Sequence, residues 1–347
     1  MADFFTVVLR HGYMPSALRN CVLVPIPKPH KDPSVSDSYR PIALAPNLSK
    51  VLEKCILFRY RSCFITSDLQ FGFKQGFSTE LCSGILKNVI TKYLHNGTNV
   101  FGCFLDASKA FDRVNHSLLF EMLLKRNIPT AVLHFLLSWY KEQTLSVRWN
   151  LSYSEPFSVT NGVRQGGVLS PILFTVYLDE LLLRLSKLGI GCHFGNHFVG
   201  GVGYADDVAL LAPSPSALRG LLRECETFAS EFGLTFNASK TQLIYFRRVR
   251  ARSSPPCGVF KFVGLPLSFS DSVNHLGHIL HYTLDDTADV ARVISDMCRK
   301  ANYLLHVFTG CDPLVKTKLI VSHCLALYGC VLWRLIPRNS HSVRSTV

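Results

Sequence analysis

Residues 202–211 read VGYADDVALL, an apolar run broken at its centre by two adjacent acids, Asp206 and Asp207. The apolar residues on either side predict two adjacent strands with Tyr204, Ala205, Asp206 and Asp207 at a hairpin turn. Working outward, Thr98–Leu105 is a second apolar run, and it ends at Asp106, which therefore sits at the C-terminal end of a buried strand. Carboxylates on two separate strands suit phosphoryl transfer assisted by two divalent ions, because Mg²⁺ demands hard oxygen ligands. That chemistry requires Asp106 and Asp206 to meet in space. If they do not, Asp106 merely opens a loop and the acid pair decorates a turn.

The flanking pattern alternates strands and helices. Cys21–Ile26 is a β-branched run stopped by Pro27 and Pro29, a strand leading into a loop through Asp37. Ser49–Arg61 predicts a helix. Residues 70–79 interleave Phe71, Phe73 and Phe77 with Gly72, Lys74 and Gly76 ahead of a helix to about Leu94, and helical periodicity resumes from Asn115 to Arg126. Residues 161–167 (NGVRQGG) form a turn cluster, and Ser170 before Pro171 predicts a serine-capped helix start running to Lys187. Cys192–Phe198 reads as a strand beside the acidic hairpin. Leu218, Leu221, Leu222, Cys225, Phe228 and Phe232 mark a helix ended by Gly233, and Leu234–Phe246 reads as two short strands around Asn237–Lys240. Val290, Val293, Ile294, Met297, Ala301, Leu304, Leu305 and Phe308 stripe a further helix. Arg292, Arg299 and Lys300 fall off that stripe, as either a nucleic-acid face or a solvated charged one.

The chain has 347 residues, 48% of them hydrophobic, which excludes a disordered or fibrous protein. Lys and Arg number 37 against 24 Asp and Glu, a formal charge of +13 that points to a polyanion such as nucleic acid or an anionic membrane surface. The twelve cysteines show no CxxC pair or zinc-finger spacing and read as reduced thiols of an intracellular protein, in cytoplasm or nucleus. Met1–Gly12, with Asp3 and Arg10, is a short mixed segment rather than a secretory signal. Leu319–Trp333 is uncharged but shorter than the roughly 20 residues of a spanning helix, so no membrane partner is expected. Arg247, Arg248, Arg250 and Arg252 read as a phosphate contact, an import patch or a flexible loop.

Seven segments carry a resemblance: VPIPK (24–28), YRPI (39–42), FGF (71–73), FLDASKAFD (104–112), QGGVLSP (165–171), YADD (204–207) and NASKT (237–241). In this order and spacing they resemble the reverse transcriptase of a non-LTR, LINE-type retrotransposon, over roughly Cys21–Tyr282. Leu319–Trp333 resembles the segment such proteins carry after the palm. The resemblance implies an α+β right-hand polymerase of fingers, palm and thumb, with an antiparallel palm sheet packed on helices. Residues 1–99 would be N-terminally truncated fingers with the Arg40 loop. Residues 100–282 would be the palm with inserted fingers and palm helices, the acidic site and a primer-grip-like turn. Residues 283–336 would be a thumb-like helical region and 337–347 a polar tail.

The resemblance also implies roles. Asp106 and Asp206 would ligate two Mg²⁺ ions, with Mn²⁺ as an alternative, and Asp207 would complete the acidic cluster. Lys240 would act as general acid toward the pyrophosphate. Arg40 would grip the triphosphate, and Lys28 would either join it or be a solvated loop lysine. Phe111 would clash with a 2′-hydroxyl and favour dNTPs, or be a core phenylalanine. Gln165 and Gly166 would shape the nucleotide pocket, where glycine lets backbone approach a ligand, and would also form a turn. Asp112 would support the site, cap a helix or form a salt bridge. Leu276 and Gly277 would form the primer-grip turn or a plain hairpin, and Arg292, Arg299 and Lys300 would contact nucleic acid. The implied partners are an RNA template, a DNA primer and dNTPs, with an endonuclease either on a partner or as a lost domain. An RNA-dependent RNA polymerase and a catalytically silent, truncated nucleic-acid-binding remnant are the competing readings.

Overall fold

The computed structural model describes residues 1–29, 31–248, 258–325 and 327–334. Two sheets organise it. The first joins β1 (Cys21–Pro27) to β2 (Tyr39–Leu44) antiparallel, with Ile26 opposite Arg40, and β1 to β4 (Thr144–Trp149) parallel. The second contains β3 (Val100–Leu105), β5 (Gly201–Tyr204), β6 (Asp207–Ala212), β7 (Gln242–Phe246) and β8 (Phe269–Ser270), in the spatial order β8-β7-β3-β6-β5. Its pairings are antiparallel except that of β7 with β8.

Every residue of β3 is buried, which is why its sequence is a continuous apolar run rather than an alternating one. Phe101, Cys103 and Leu105 join a core containing α6 (Ser170–Lys187) and α7 (Pro215–Phe232), while Val100 and Phe104 join another with α3 (Thr79–His95). Gly102 completes the fit, since a Cβ there would come within 2.8 Å of Phe246 and 3.0 Å of Ile244. Helices therefore cover both faces of the strand that ends at Asp106. The fold is the mixed α+β arrangement that the sequence predicts.

The structure departs from the sequence reading at several elements. Residues 234–246 contain one named strand, β7, and residues 237–241 are a turn built on Asn237, whose Oδ1 accepts from Ser239 N at 3.0 Å. Residues 192–198 fold into a separate small hairpin of His193–Phe194 and His197–Phe198. The N-terminal residues form α1 (Ala2–His11), which buries Phe5 and Val8. A helix that the apolar pattern left unassigned, α5 (Thr130–Glu142), follows α4 (His116–Lys125), packs against α1 and buries Phe135, Leu136 and Trp139. The expected polar tail at 337–347, and Arg250 and Arg252, lie outside the described residues.

Ser170 does not cap α6. Glu53, fully buried on α2 (Asn47–Arg59), does that work from a distance: its carboxylate accepts from Val168 N at 2.5 Å and Leu169 N at 3.1 Å, and pairs with Arg164 Nη2 at 2.6 Å. The Arg164 guanidinium also lies over the Trp139 ring, 4.6 Å from its centroid. A carboxylate at a helix N-terminus is favoured by the free N–H groups and by the helix dipole.

The segment 327–334 works as a clasp. It crosses the hairpin of β9 (Ser272–His275) and β10 (His278–His281), α3, and α8 (Thr287–Val307), the helix that precedes α9 (Pro313–Cys324). Tyr328 OH donates to Leu276 O at 3.0 Å, Gly329 N donates to Glu80 at 2.9 Å, and Trp333 Nε1 donates to Asp289 at 2.8 Å. Lys87, buried on α3, donates to Leu332 O and to Asp286, whose other oxygen accepts from Arg334 N.

Replacing Glu53 with Ala strands the buried Arg164 charge and uncaps α6. The expected loss is about 3–5 kcal/mol of unfolding free energy, measured by denaturant titration.

Candidate active site

The pairing of β3 with β6 places Val208 opposite Leu105. One residue further along each strand stand Asp207 and Asp106. Asp207 also pairs with Tyr204 across the β5–β6 hairpin, so Ala205 and Asp206 form the turn, with Ala205 left-handed at φ 55°. Asp207 feels the charges of Asp206 and Asp106, and Asp206 that of Asp106. Burial, then Asp206 and Asp106, push the Asp207 carboxyl up to about 6. Asp206 is raised by burial and by Asp106. Hard, partly desolvated oxygens that repel one another are the donor chemistry of a divalent-cation site. In donor type the residues fit Mg²⁺, although among the described residues no three His, Cys, Asp or Glu side chains are gathered as a ligand set.

The acids open onto two cavities. Asp206 lines a cleft of about 1010 Å³ between the two sheets, together with Lys28, Arg40, Lys109, Phe111, Gln165 and Gly166. The predicted nucleotide-contact residues are thus brought together. Phe111 lines the cleft and stacks on Phe174 with centroids 4.4 Å apart, so its ring touches both the cleft and the core. Gln165 Nε2 donates to Asp112 at 3.0 Å, and Gln165 O accepts from Ala43 N at 2.6 Å, so both ends of Gln165 are held at the cleft wall. Gly166 has φ 116°, and a Cβ there would lie 2.6 Å from Ala43 O. A close approach to strand β2 by itself demands glycine here.

The sequence reading missed two members of this cleft. Lys109, left-handed at φ 51°, donates from Nζ to Asp37 Oδ1 at 2.7 Å, while Lys28 Nζ donates to Asp37 O at 2.7 Å. Asp37 therefore holds two cations at the cleft. The available signal was the position of Lys109 within FLDASKAFD, three residues after Asp106.

Asp106 and Asp207 line a second cavity of about 120 Å³, with Lys240, Gln242, Asn274 and Leu276. Lys240 Nζ lies 3.4 Å from Asp106 Oδ2, and Asn237 N donates to Asp106 O at 2.8 Å, so the 237–241 turn braces that acid. Leu276 and Gly277 form the tip between β9 and β10, at φ 50° and 80°, and Leu276 is thereby carried to the acids. Beneath it, burial and then His278 pull the His275 imidazole down to about 4.

Arg292, Arg299 and Lys300 line neither cavity. Arg292 pairs with Asp289 at 2.9 Å, Lys300 pairs with Asp296 at 3.2 Å, and Arg299 shares Asp296. Three cations set against two acids leave α8 far less basic at this place than its sequence suggests.

The raised Asp207 carboxyl sets a pH dependence. Protonation is favoured in the folded state, so this group's effect on stability becomes unfavourable as pH rises from its unfolded value near 4 through about 6. Asp207→Asn is expected to raise the Tm of metal-free protein at pH 8. At pH 4 it should change little, and paired thermal melts at the two pH values read the difference.

Comparison with known proteins places the chain in a family and supports its fold. Residues 26–280 match the family model described as reverse transcriptase (RNA-dependent DNA polymerase). The RNA-directed DNA polymerase from mobile element jockey of Drosophila melanogaster is 30% identical over 99% of this chain and 35% of its own length. The probable RNA-directed DNA polymerase from transposon X-element of the same fly is 26% identical over 95% of this chain and 37% of its own. The chain thus spans little more than a third of these relatives. The retrovirus-related Pol polyprotein from type-2 retrotransposable element R2DM, also of D. melanogaster, is 30% identical over 69% of the chain. Telomerase from Candida tropicalis, solved with a fragment of telomeric RNA, superposes with a TM-score of 0.55 at 14% identity. That superposition covers 99% of this chain and 57% of the telomerase, and it supports the fold. From the family match over residues 26–280 and the relationship to jockey, the chain belongs to the reverse transcriptase family.

Proposed function

We propose that this chain extends a DNA primer with deoxynucleotides on an RNA template, as the polymerase of a non-LTR retrotransposon. The observation that supports the reading is the charge coupling of Asp207 to Asp206 and Asp106, with Asp206 lining a cleft that also contains Lys28, Arg40 and Lys109. Asp106, Asp206 and Asp207 are the residues proposed to hold two Mg²⁺ ions, or Mn²⁺. Bound there, the ions would supply Lewis-acid activation of the primer 3′-hydroxyl and neutralise charge on the leaving pyrophosphate.

The chain's own residues do the rest. Arg40, Lys28 and Lys109 bind the triphosphate, displacing Asp37 from its two lysines. Gln165, oriented by Asp112, and Gly166 shape the pocket wall. Phe111, held by Phe174, presents its ring where a ribose 2′-hydroxyl would collide. Leu276 and Gly277 support the primer end next to Asp207. Lys240 balances the Asp106 charge from the smaller cavity, and its exposed side chain would have to leave Asp106 to give a proton to pyrophosphate. Contacts of Arg292, Arg299 and Lys300 with nucleic acid would first open their acid pairs.

In the same proposal, residues 1–99 act as fingers, 100–282 as palm and 283–336 as thumb. An endonuclease acts from a partner or from elsewhere in the parent element, and the work takes place in cytoplasm or nucleus. Among the described residues, no helix is long and apolar enough to cross a membrane.

Primer extension on an RNA template with Mg²⁺ and either dNTPs or rNTPs tests the reading. Extension with dNTPs is expected, and Asp206→Asn should reduce it by at least about 100-fold. Phe111→Ala should raise use of rNTPs relative to dNTPs by about 10–100-fold. Preferred rNTP use by the unmodified protein would instead favour an RNA polymerase. Primer-template binding without extension, unchanged by Asp206→Asn, would favour a silent remnant.

A further inference from the structure

Gln70 is fully buried although polar, and no role in the reaction described above uses it. Its amide is spent on the acidic turn. Oε1 accepts from Ala205 N at 3.0 Å and from Gly72 N at 2.8 Å, while Nε2 donates to Ala205 O at 3.5 Å. The neighbouring backbone joins the same strand: Phe71 N donates to Gly203 O at 2.7 Å, and Gly203 N donates to Leu69 O at 2.8 Å. Residues 69–72 thus lie along the edge of β5 and reach round its end. Gly72 rests on the turn itself, where a Cβ would come within 2.9 Å of Ala205 Cα and closer still to Ala205 N.

Ala205 is the residue that needs such support. It holds φ 55°, a left-handed conformation that is uncommon for a residue with a Cβ and persists only where the surroundings over-determine it. Its neighbours Asp206 and Asp207 face different cavities, so small rotations at Ala205 redirect both carboxylates. A primary amide offers an acceptor and a donor together, which is what an exposed N–H and C=O of one residue require. A carboxylate offers only acceptors, and an apolar side chain offers neither.

We propose that Gln70 is a positioning residue for the acidic turn, fixing the directions of Asp206 and Asp207 by satisfying both backbone groups of Ala205. It touches neither substrate nor ion. The proposal rests on the polymerase reading for its kinetic consequence, but its structural consequence can be read without turnover.

The test compares Gln70→Met and Gln70→Glu with the unmodified chain, free of metal and nucleic acid, by amide hydrogen exchange. In Gln70→Met the Ala205–Val208 amides should exchange at least 10-fold faster, with β3 and α3 unchanged. Gln70→Glu should behave likewise at pH 8. Towards pH 5 it should approach the unmodified chain measured at the same pH, because the protonated acid again carries a donor. In primer extension, kcat should fall by 10- to 100-fold while KM for dNTP and Kd for primer-template stay within threefold. Three results would overturn the proposal: unchanged exchange at 205–208, faster exchange spread evenly over the palm sheet, or loss of the fold in both variants. A chain that fails to extend primers yet shows turn-confined exchange would sink the polymerase reading and leave the role of Gln70 standing.

Discussion

The antiparallel pairing of β3 with β6 is the constraint on which the site depends. β3 is buried on both faces, so a slip by one residue would send Phe101, Cys103 and Leu105 into the space shaped for Val100, Gly102 and Phe104. Neither layer tolerates that exchange. Gly102 sits where Phe246 and Ile244 leave no room for a Cβ, and α6 and α7 are packed against the other side. The register is therefore set by core volume, and core volume alone brings Asp106 beside Asp207. Packing that never touches a nucleotide decides where the carboxylates stand.

The same division explains what the sequence could reveal. Apolar runs ending in acids are local, so β3, the YADD turn and the neighbourhood of Asp106 and Asp206 were legible. So was α6 through Lys187. Its cap was not, because Glu53 lies more than a hundred positions upstream and nothing near Ser170 reports it. Arg164 looked like one more residue of a turn cluster, yet it is buried against Trp139 and Glu53. The break at Asn237 to Lys240 was legible, but the strand expected before it is only a bridge from Phe236 to Ala107, since a short apolar run cannot distinguish a strand from a turn flank that buries Phe236. On α8 the apolar stripe was plain, and the charge balance was legible too, since Asp289 and Asp296 stand three and four residues before their cations, a helical spacing that the sequence displays. Local patterning wrote the elements, and long-range pairs wrote the geometry.

Charge shapes the site from two sides. In a chain with formal charge +13, burial and the neighbouring acids raise the cost of keeping Asp206 and Asp207 ionised. Lys240 offsets part of that cost on one flank. On the other, Asp37 accepts from Lys28 and Lys109 within the cleft that Asp206 lines. Each cavity thus contains its own provisional counter-ions, exposed enough to be exchanged for a ligand's charges at small cost.

The clasp formed by residues 327–334 bears on the order in which the molecule is made. Tyr328, Gly329 and Trp333 secure the β9–β10 hairpin and α8 against a helix laid down some 240 residues earlier, as the Tyr328–Thr79 contact shows. Chains emerge from the ribosome at about 5–20 residues per second and fold from the N-terminal side. The palm sheet can thus be complete for several seconds while the support beside Asp207 still lacks its last tie. A nascent chain stalled before Tyr328 would carry all its acids and an unfastened hairpin, so the support beside Asp207 is completed only after residues 328–333 have been made, well after the acids themselves.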